Sequence, residues 1–249
     1  NSSPLDFLDV HIYFCPPLNW MPMLERYGLK DLPIYYSEWG VSPRWGDPAN
    51  DTPYGAAWTA RGLAESLDHV SLVSYWSGSD YFEETGPPQK FFHGGFGLLG
   101  LDGIRKPRYW AFHLLHRLGT RRLALEGEGD GFGGLVNGWA TRADDGSVRI
   151  LLWNVTFDQT KASGSATLGR QVSLQVAGLP AGKTVRLSHF RVDNHHSNVY
   201  AAWQAMGQPD WPSPAQLAEL RQKDSLEPLE PSRDLAADSQ GNVRVEFDL

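Results

Sequence analysis

Glu38 is the residue of this chain best placed to do chemistry. It closes the apolar run Pro33-Ile34-Tyr35-Tyr36 and is followed by Trp39 and Gly40. A carboxylate at the mouth of a strand can attack an electrophilic carbon or take a proton, provided neighbouring donors keep it ionised. Two other apolar runs end comparably, in His11-Ile12-Tyr13 and Ser74-Tyr75-Trp76-Ser77. In a parallel α/β barrel the reactive groups gather at the C-terminal ends of the strands, so three such endings in succession point to one wall of a site. Position alone leaves each residue a plainer role: Glu38 as a carboxylate paired with an arginine, His11 and Tyr13 as satisfied buried polar residues, and Trp76 as core.

The elements that must carry these endings follow from the pattern of the first 118 residues, which alternate strand-like with helix-like runs. Strands are expected at Phe7–Tyr13, Pro33–Trp39 and Val70–Trp76. Helical spacing of Ala57, Ala60, Leu63, Ala64 and Leu67 predicts a helix from Tyr54 to Leu67, with Asp51-Thr52-Pro53 as its capped start. A long loop, Ser77 to Arg105, leads to a second helix from Pro107 to Leu118, stopped by Gly119.

From Arg121 onward the pattern changes to strands separated by turn signals such as Asp144-Asp145-Gly146. They are expected at Arg122–Glu126, Leu135–Arg142, Val148–Asn154, Gln171–Val176, Thr184–Val192 and Val243–Leu249, an antiparallel β-sandwich pattern. A short helix is expected at Pro212–Lys223, and Leu226–Ser239 is expected to run over the surface.

Composition narrows the function classes. The 249 residues carry a net charge of −7, with no basic field to gather phosphates, so no nucleic-acid partner is expected. No apolar run reaches the roughly 20 residues that cross a bilayer, and the first residues lack the pattern of a secretion signal. The one cysteine, Cys15, excludes an internal disulfide framework. Ten Trp, nine Tyr and eleven Phe, several beside carboxylates and glycines, suit a site that stacks rings on a sugar and accepts its hydroxyls with carboxylates. His93, His189, His195 and His196 lack ligand-type spacing, so neither a metal nor a cofactor is expected. Asn154-Val155-Thr156 is a formal glycosylation acceptor.

Leu32-Pro-Ile-Tyr-Tyr-Ser-Glu-Trp-Gly40 resembles the nucleophile strand of glycoside hydrolase family 39, the β-xylosidases and α-L-iduronidases. Ser74-Tyr-Trp-Ser-Gly-Ser-Asp-Tyr-Phe-Glu-Glu84, Phe92-His-Gly-Gly-Phe-Gly-Leu-Leu99, Ile104-Arg-Lys-Pro-Arg-Tyr109 and Arg191-Val-Asp-Asn-His-His-Ser-Asn-Val-Tyr200 are similar to later segments of that family, in the same order. The resemblance implies α/β plus all-β architecture: the C-terminal part of a (β/α)8 TIM barrel, strands 6 to 8, over residues 1–118, then a β-sandwich over 119–249 whose 193–231 segment packs back on the barrel. It implies a retaining glycosidase that removes non-reducing-end β-xylosyl units by double displacement, with Glu38 as nucleophile. His11 and Tyr13 would contact the sugar or the nucleophile, Trp76 would floor the pocket, and Glu83, with Glu84 a weaker candidate, would accept from ring hydroxyls.

Two departures qualify the expectation. The family's acid/base sits in an Asn-Glu pair, and this chain has none, so the proton donor and five barrel strands are expected from a preceding segment or a companion chain. Only 26 residues separate His11 from Glu38, fewer than is common in the family, which reshapes the pocket. An α-L-iduronidase-like activity is the nearest alternative, with Arg44 as the cation for a sugar carboxylate. A carbohydrate-binding fragment without turnover is the alternative of a different class.

Overall fold

The computed structural model describes residues 4–82, 84 and 86–249. The three apolar runs of the first part become β1 (Leu8–Tyr13), β2 (Ile34–Gly40) and β3 (Leu72–Tyr75), parallel and adjacent in that order. The link from β1 to β2 holds α1 (Met21–Arg26), a helix too short to leave a periodic pattern in the sequence, with Leu24 buried. Between β2 and β3 lies α2 (Tyr54–Ser66), which buries Gly55, Ala56, Trp58, Thr59, Ala60 and Gly62. These are mostly small residues, so the helix can sit close to the sheet. The Asp51 carboxylate does not cap α2, whose first residues have no side-chain cap, because it is turned inward to other donors. The loop after β3 ends at α3 (Pro107–His116).

Trp39 is fully buried and stacks on Trp58 at 4.7 Å between ring centroids. An added methyl at Gly62 would lie 2.4 Å from Trp39 Cζ2. In an unhindered helix, Gly→Ala stabilises by about 1 kcal/mol. Here the indole is locked between β2 and α2, so Gly62→Ala is expected instead to cost about 1–3 kcal/mol, the range for an overpacked core. Urea unfolding checks the sign.

The second part is antiparallel. β4 (Arg121–Leu123), β5 (Val136–Arg142) and β6 (Val148–Asn154) form one sheet, while β7 (Gln171–Val176) pairs with β12 (Val243–Asp248). The expected strand Thr184–Val192 is divided into β8 (Thr184–Leu187) and β9 (Phe190–Arg191). Leu226–Ser239 is mostly exposed but also supplies β10 (Glu227–Pro228), paired with β9, and β11 (Arg233–Ala236), paired with β8. Its charges and prolines hid these strands, and short two-stranded edges tolerate both.

Two helices lie between β9 and β10. α4 (Val199–Ala205) has no counterpart among the sequence expectations, whereas α5 (Pro214–Lys223) is as expected and carries a reciprocal capping box between Ser213 and Gln216. Val199, Trp203 and Leu220 from these helices form a buried cluster with Phe91, Phe92, Leu101 and Ile104 of the loop after β3.

The two parts share a core. Trp153 and Val155, at the end of β6, pack with Ile34, Tyr36, Trp39 and Trp58. Around that contact the Tyr54 hydroxyl donates to the Thr156 carbonyl at 3.0 Å, Arg61 to the Val155 carbonyl at 2.7 Å, and the Gln159 amide to the Val41 carbonyl at 2.6 Å. A cavity of about 990 Å³ opens among the antiparallel strands, lined by Ile150, Leu152, Leu174, Val185, Val245 and Phe247 among others. None of His11, Tyr13, Glu38 or Trp76 lines it. Asn154 borders the same cavity, and its side-chain nitrogen donates to the carbonyls of Leu168 and Leu249 at 2.7 and 2.9 Å, so the formal glycosylation nitrogen is already engaged.

Candidate active site

The geometry at Glu38 begins with a register shift. Asp9 pairs with Tyr35 and His11 with Glu38, while Tyr36 pairs with Val73 and Trp39 with Tyr75. Against both neighbours β2 therefore has one extra residue near Ser37, a bulge of the kind that re-aims side chains. Strict alternation would send Ser37 and Glu38 to opposite faces. With the bulge, His11 reaches both: its Nδ1 lies 3.1 Å from Glu38 Oε2 and its Nε2 lies 3.0 Å from Ser37 Oγ.

The other Glu38 oxygen, Oε1, accepts from the Tyr13 hydroxyl. Each carboxylate oxygen thus has a partner on β1, and the group is held in orientation while about a quarter of its side chain stays open to solvent (23%). Burial first, and then the bond to Glu38 and its charge, push the Tyr13 hydroxyl well above the usual phenol range, so Tyr13 keeps its proton and remains a donor.

Gly40 makes room for this contact. A Cβ there would lie 3.1 Å from Tyr13 Cε1 and 3.2 Å from the Trp76 carbonyl oxygen. A charge-assisted hydrogen bond is worth about 1.5–3 kcal/mol, so Tyr13→Phe is expected to lower kcat on an aryl glycoside by roughly 10- to 100-fold. Steady-state kinetics with KM changed less than kcat is the check.

Behind His11 the network continues. Ser37 donates its hydroxyl to Asp9 Oδ2 at 2.8 Å and its backbone N–H to Asp9 Oδ1 at 3.1 Å, and these two bonds hold the Asp9 carboxyl below its usual range. Asp9 was not among the residues expected from the sequence. The available signal was its place two residues before His11, which puts both on one face of β1.

Trp76 follows β3, its backbone N–H donating to the Trp39 carbonyl at 2.8 Å. Its ring meets Phe82 edge-on at 5.5 Å, and Phe82 in turn contacts Phe96 at 5.5 Å and Trp45 at 5.8 Å. Trp45 closes the group against Phe96 at 5.2 Å and His93 at 4.9 Å. Trp76 thus belongs to a cluster drawn from the loops after β2 and β3, of which the sequence singled out Trp76 alone. Glu83 lies outside the described residues, and Glu84 is exposed. Arg44 is exposed as well, its guanidinium carbon 5.8 Å from the centroid of Phe14, the residue after Tyr13.

Taken together, these groups offer an oriented carboxylate, about a quarter open to solvent (23%), at the end of a strand whose following loop contributes to an aromatic cluster, and such a carboxylate is able to attack an electrophilic carbon. The sequence profile described as "Glycosyl hydrolases family 39" matches residues 23–239. A β-xylosidase of Geobacillus stearothermophilus is 35% identical over 191 residues, which cover 77% of this chain and 35% of that protein. A β-xylosidase of Caldicellulosiruptor saccharolyticus is 29% identical over 269 residues, covering 100% of this chain and 52% of that protein. Among solved structures, the crystal structure of the GH39 enzyme from Xanthomonas axonopodis pv. citri superposes with a TM-score of 0.78 at 25% identity, covering 99% of this chain and 53% of its own. The chain spans about a third to a half of the length of these relatives.

Proposed function

Because this chain belongs to glycoside hydrolase family 39, we propose that it carries the nucleophile and part of the sugar-binding wall of a retaining β-xylosidase. The substrates are non-reducing-end β-xylosyl units of xylo-oligosaccharides or aryl xylosides, a choice supported by the names of the two curated relatives. The single observation that carries the reading is the Glu38 carboxylate, held through both oxygens by Tyr13 and His11 at the C-terminal end of a parallel strand.

In the first step Glu38 attacks C1 and the bond from C1 to the leaving oxygen breaks, that oxygen taking a proton from a second carboxyl group about 5 Å away. In the second step the same group, now a carboxylate, takes a proton from water. That water attacks C1, and Glu38 leaves with its electron pair. Two inversions give net retention. On this reading β1, β2 and β3 are strands six, seven and eight of a (β/α)8 barrel within residues 1–118. The antiparallel strands of 119–249 form a β-sandwich, its 193–231 segment packing on the barrel side. The second carboxyl group comes from outside these 249 residues, in keeping with the absence of an Asn-Glu pair.

The test uses 2,4-dinitrophenyl β-D-xyloside, whose leaving group needs no proton. Full-length protein is expected to release dinitrophenolate and to give β-xylose as the first anomer in the proton NMR spectrum. First-formed α-xylose would overturn the mechanism. Binding of xylose with no release above buffer would leave a binding protein instead. Arg44 beside Phe14 favours a second reading, a sugar bearing a carboxylate. A higher kcat/KM on an aryl α-L-iduronide than on the xyloside, lost on Arg44→Ala, would select it.

A further inference from the structure

Lys106 is fully buried, which for an ammonium group demands compensation. Its Nζ lies 2.6 Å from Asp51 Oδ1 and 2.6 Å from Asp80 Oδ2, and donates to the Gly95 carbonyl at 3.0 Å. Asp51 stands on the loop after β2 and Asp80 on the loop after β3, so one cation ties together the two loops that carry the aromatic cluster.

The remaining oxygens of both carboxylates are aimed at the same short run. Asp51 Oδ2 accepts from the Gly94 N–H at 2.7 Å, and Asp80 Oδ1 accepts from the Gly97 N–H at 2.7 Å. The glycines there serve close approach. A Cβ on Gly94 would lie 2.5 Å from Gly46 C, one on Gly95 2.5 Å from Asp80 Oδ1, and one on Gly97 2.2 Å from Asp80 N. The run is thus held by bonds from its backbone N–H groups to two buried carboxylates, and Lys106 supplies a cation that both of them share. Phe96 rides on this run, its carbonyl accepting from the Ser77 N–H at 3.0 Å and its ring set against Trp45.

We propose that Lys106 is a positioning residue for substrate: by bridging Asp51 and Asp80 it fixes Gly94 to Gly97, and through Phe96 and Trp45 it holds the aromatic cluster around Trp76 on which the sugar lies. The proposal rests on the glycosidase reading for its sugar, but not for the ordering of the run.

The experiment compares the full-length parent with Lys106→Met and with the double variants Asp51→Asn/Lys106→Met and Lys106→Met/Asp80→Asn, in which Arg108 and the remaining aspartate still balance and the Asn oxygen can still accept from Gly94 or Gly97. Hydrogen exchange in Lys106→Met is expected to speed up by at least about tenfold in peptides covering 93–99 while β2 keeps its protection. On 2,4-dinitrophenyl β-D-xyloside, KM is expected to rise by about 10- to 100-fold with kcat held within about threefold. The double variants are expected to return both readouts to within about threefold of the parent, and they carry the test if Lys106→Met does not fold.

Unchanged protection of 93–99, an equal loss of protection across β2, or a fall in kcat at constant KM would each overturn the proposal. If the parent itself releases no dinitrophenolate, the glycosidase reading falls, and the exchange pattern still decides whether Lys106 orders the run.

Discussion

Glu38→Gly is expected to lower turnover of 2,4-dinitrophenyl β-D-xyloside by at least about 10⁴-fold, because in the proposed mechanism it removes the group that forms the covalent intermediate. The expectation comes from the site's geometry. Glu38 is held through both oxygens, by the Tyr13 hydroxyl and by His11 Nδ1 at 3.1 Å, yet its side chain keeps about a quarter of its surface open to solvent (23%). Loss of a carboxylate that only braced β1 against β2 would weaken the protein without a selective loss of chemistry. Azide separates the two cases. It fits the space vacated at position 38 and attacks C1 from the same face, giving α-xylosyl azide, the inverted product, at a rate that rises with azide concentration. Azide rescue with a parental unfolding midpoint is the expected result. Absence of rescue together with a lowered midpoint would return Glu38 to a structural role.

Glu38 is legible in the amino-acid sequence and Asp9 is not, and the difference follows from what each depends on. Glu38, His11 and Trp76 lie at the ends of apolar runs, and a run's end is a local property of the sequence. The bulge near Ser37 is not. It exists only in the register between β2 and its two neighbours, and without it His11 could not touch Ser37 and Glu38 at once.

Asp51 fails for the same reason. Beside Thr52 and Pro53 it has the local look of a helix cap, but a buried ammonium reached through the loop after β3 claims it instead. Lys106 and Arg108, flanking Pro107, read as ordinary charges of a helix start, and nothing nearby announces that both are fully buried. The brief strands β10 and β11 are set by what they pair with, so their own prolines and charges mislead. Ends of elements were legible, then, while the buried polar contacts joining distant loops were not.

Arg108 carries the largest expected effect on stability. Its guanidinium is fully buried and makes five hydrogen bonds: to the Gly97 carbonyl at 3.1 and 2.7 Å, to the Gly95 carbonyl at 2.8 Å, to Asn50 Oδ1 at 3.0 Å and to the Tyr75 hydroxyl at 3.0 Å. None of these partners is charged. Its compensation comes from the adjoining group, in which Lys106 and Arg108 balance Asp51 and Asp80. Arg108→Met leaves that group with an excess negative charge and strips a donor from each of these acceptors, although the Gly95 carbonyl keeps one in Lys106. Breaking a buried charge network by removing one member costs about 3–5 kcal/mol, and that is the loss expected in urea unfolding. The control is Arg186→Met. That side chain is 64% exposed, pairs with Asp234 at 3.0 Å, and should cost no more than about 1 kcal/mol. Equal losses at the two positions would mean that the Arg108 bonds contribute no more than a solvated ion pair, and that the loop after β3 is held by its glycine contacts and apolar packing instead.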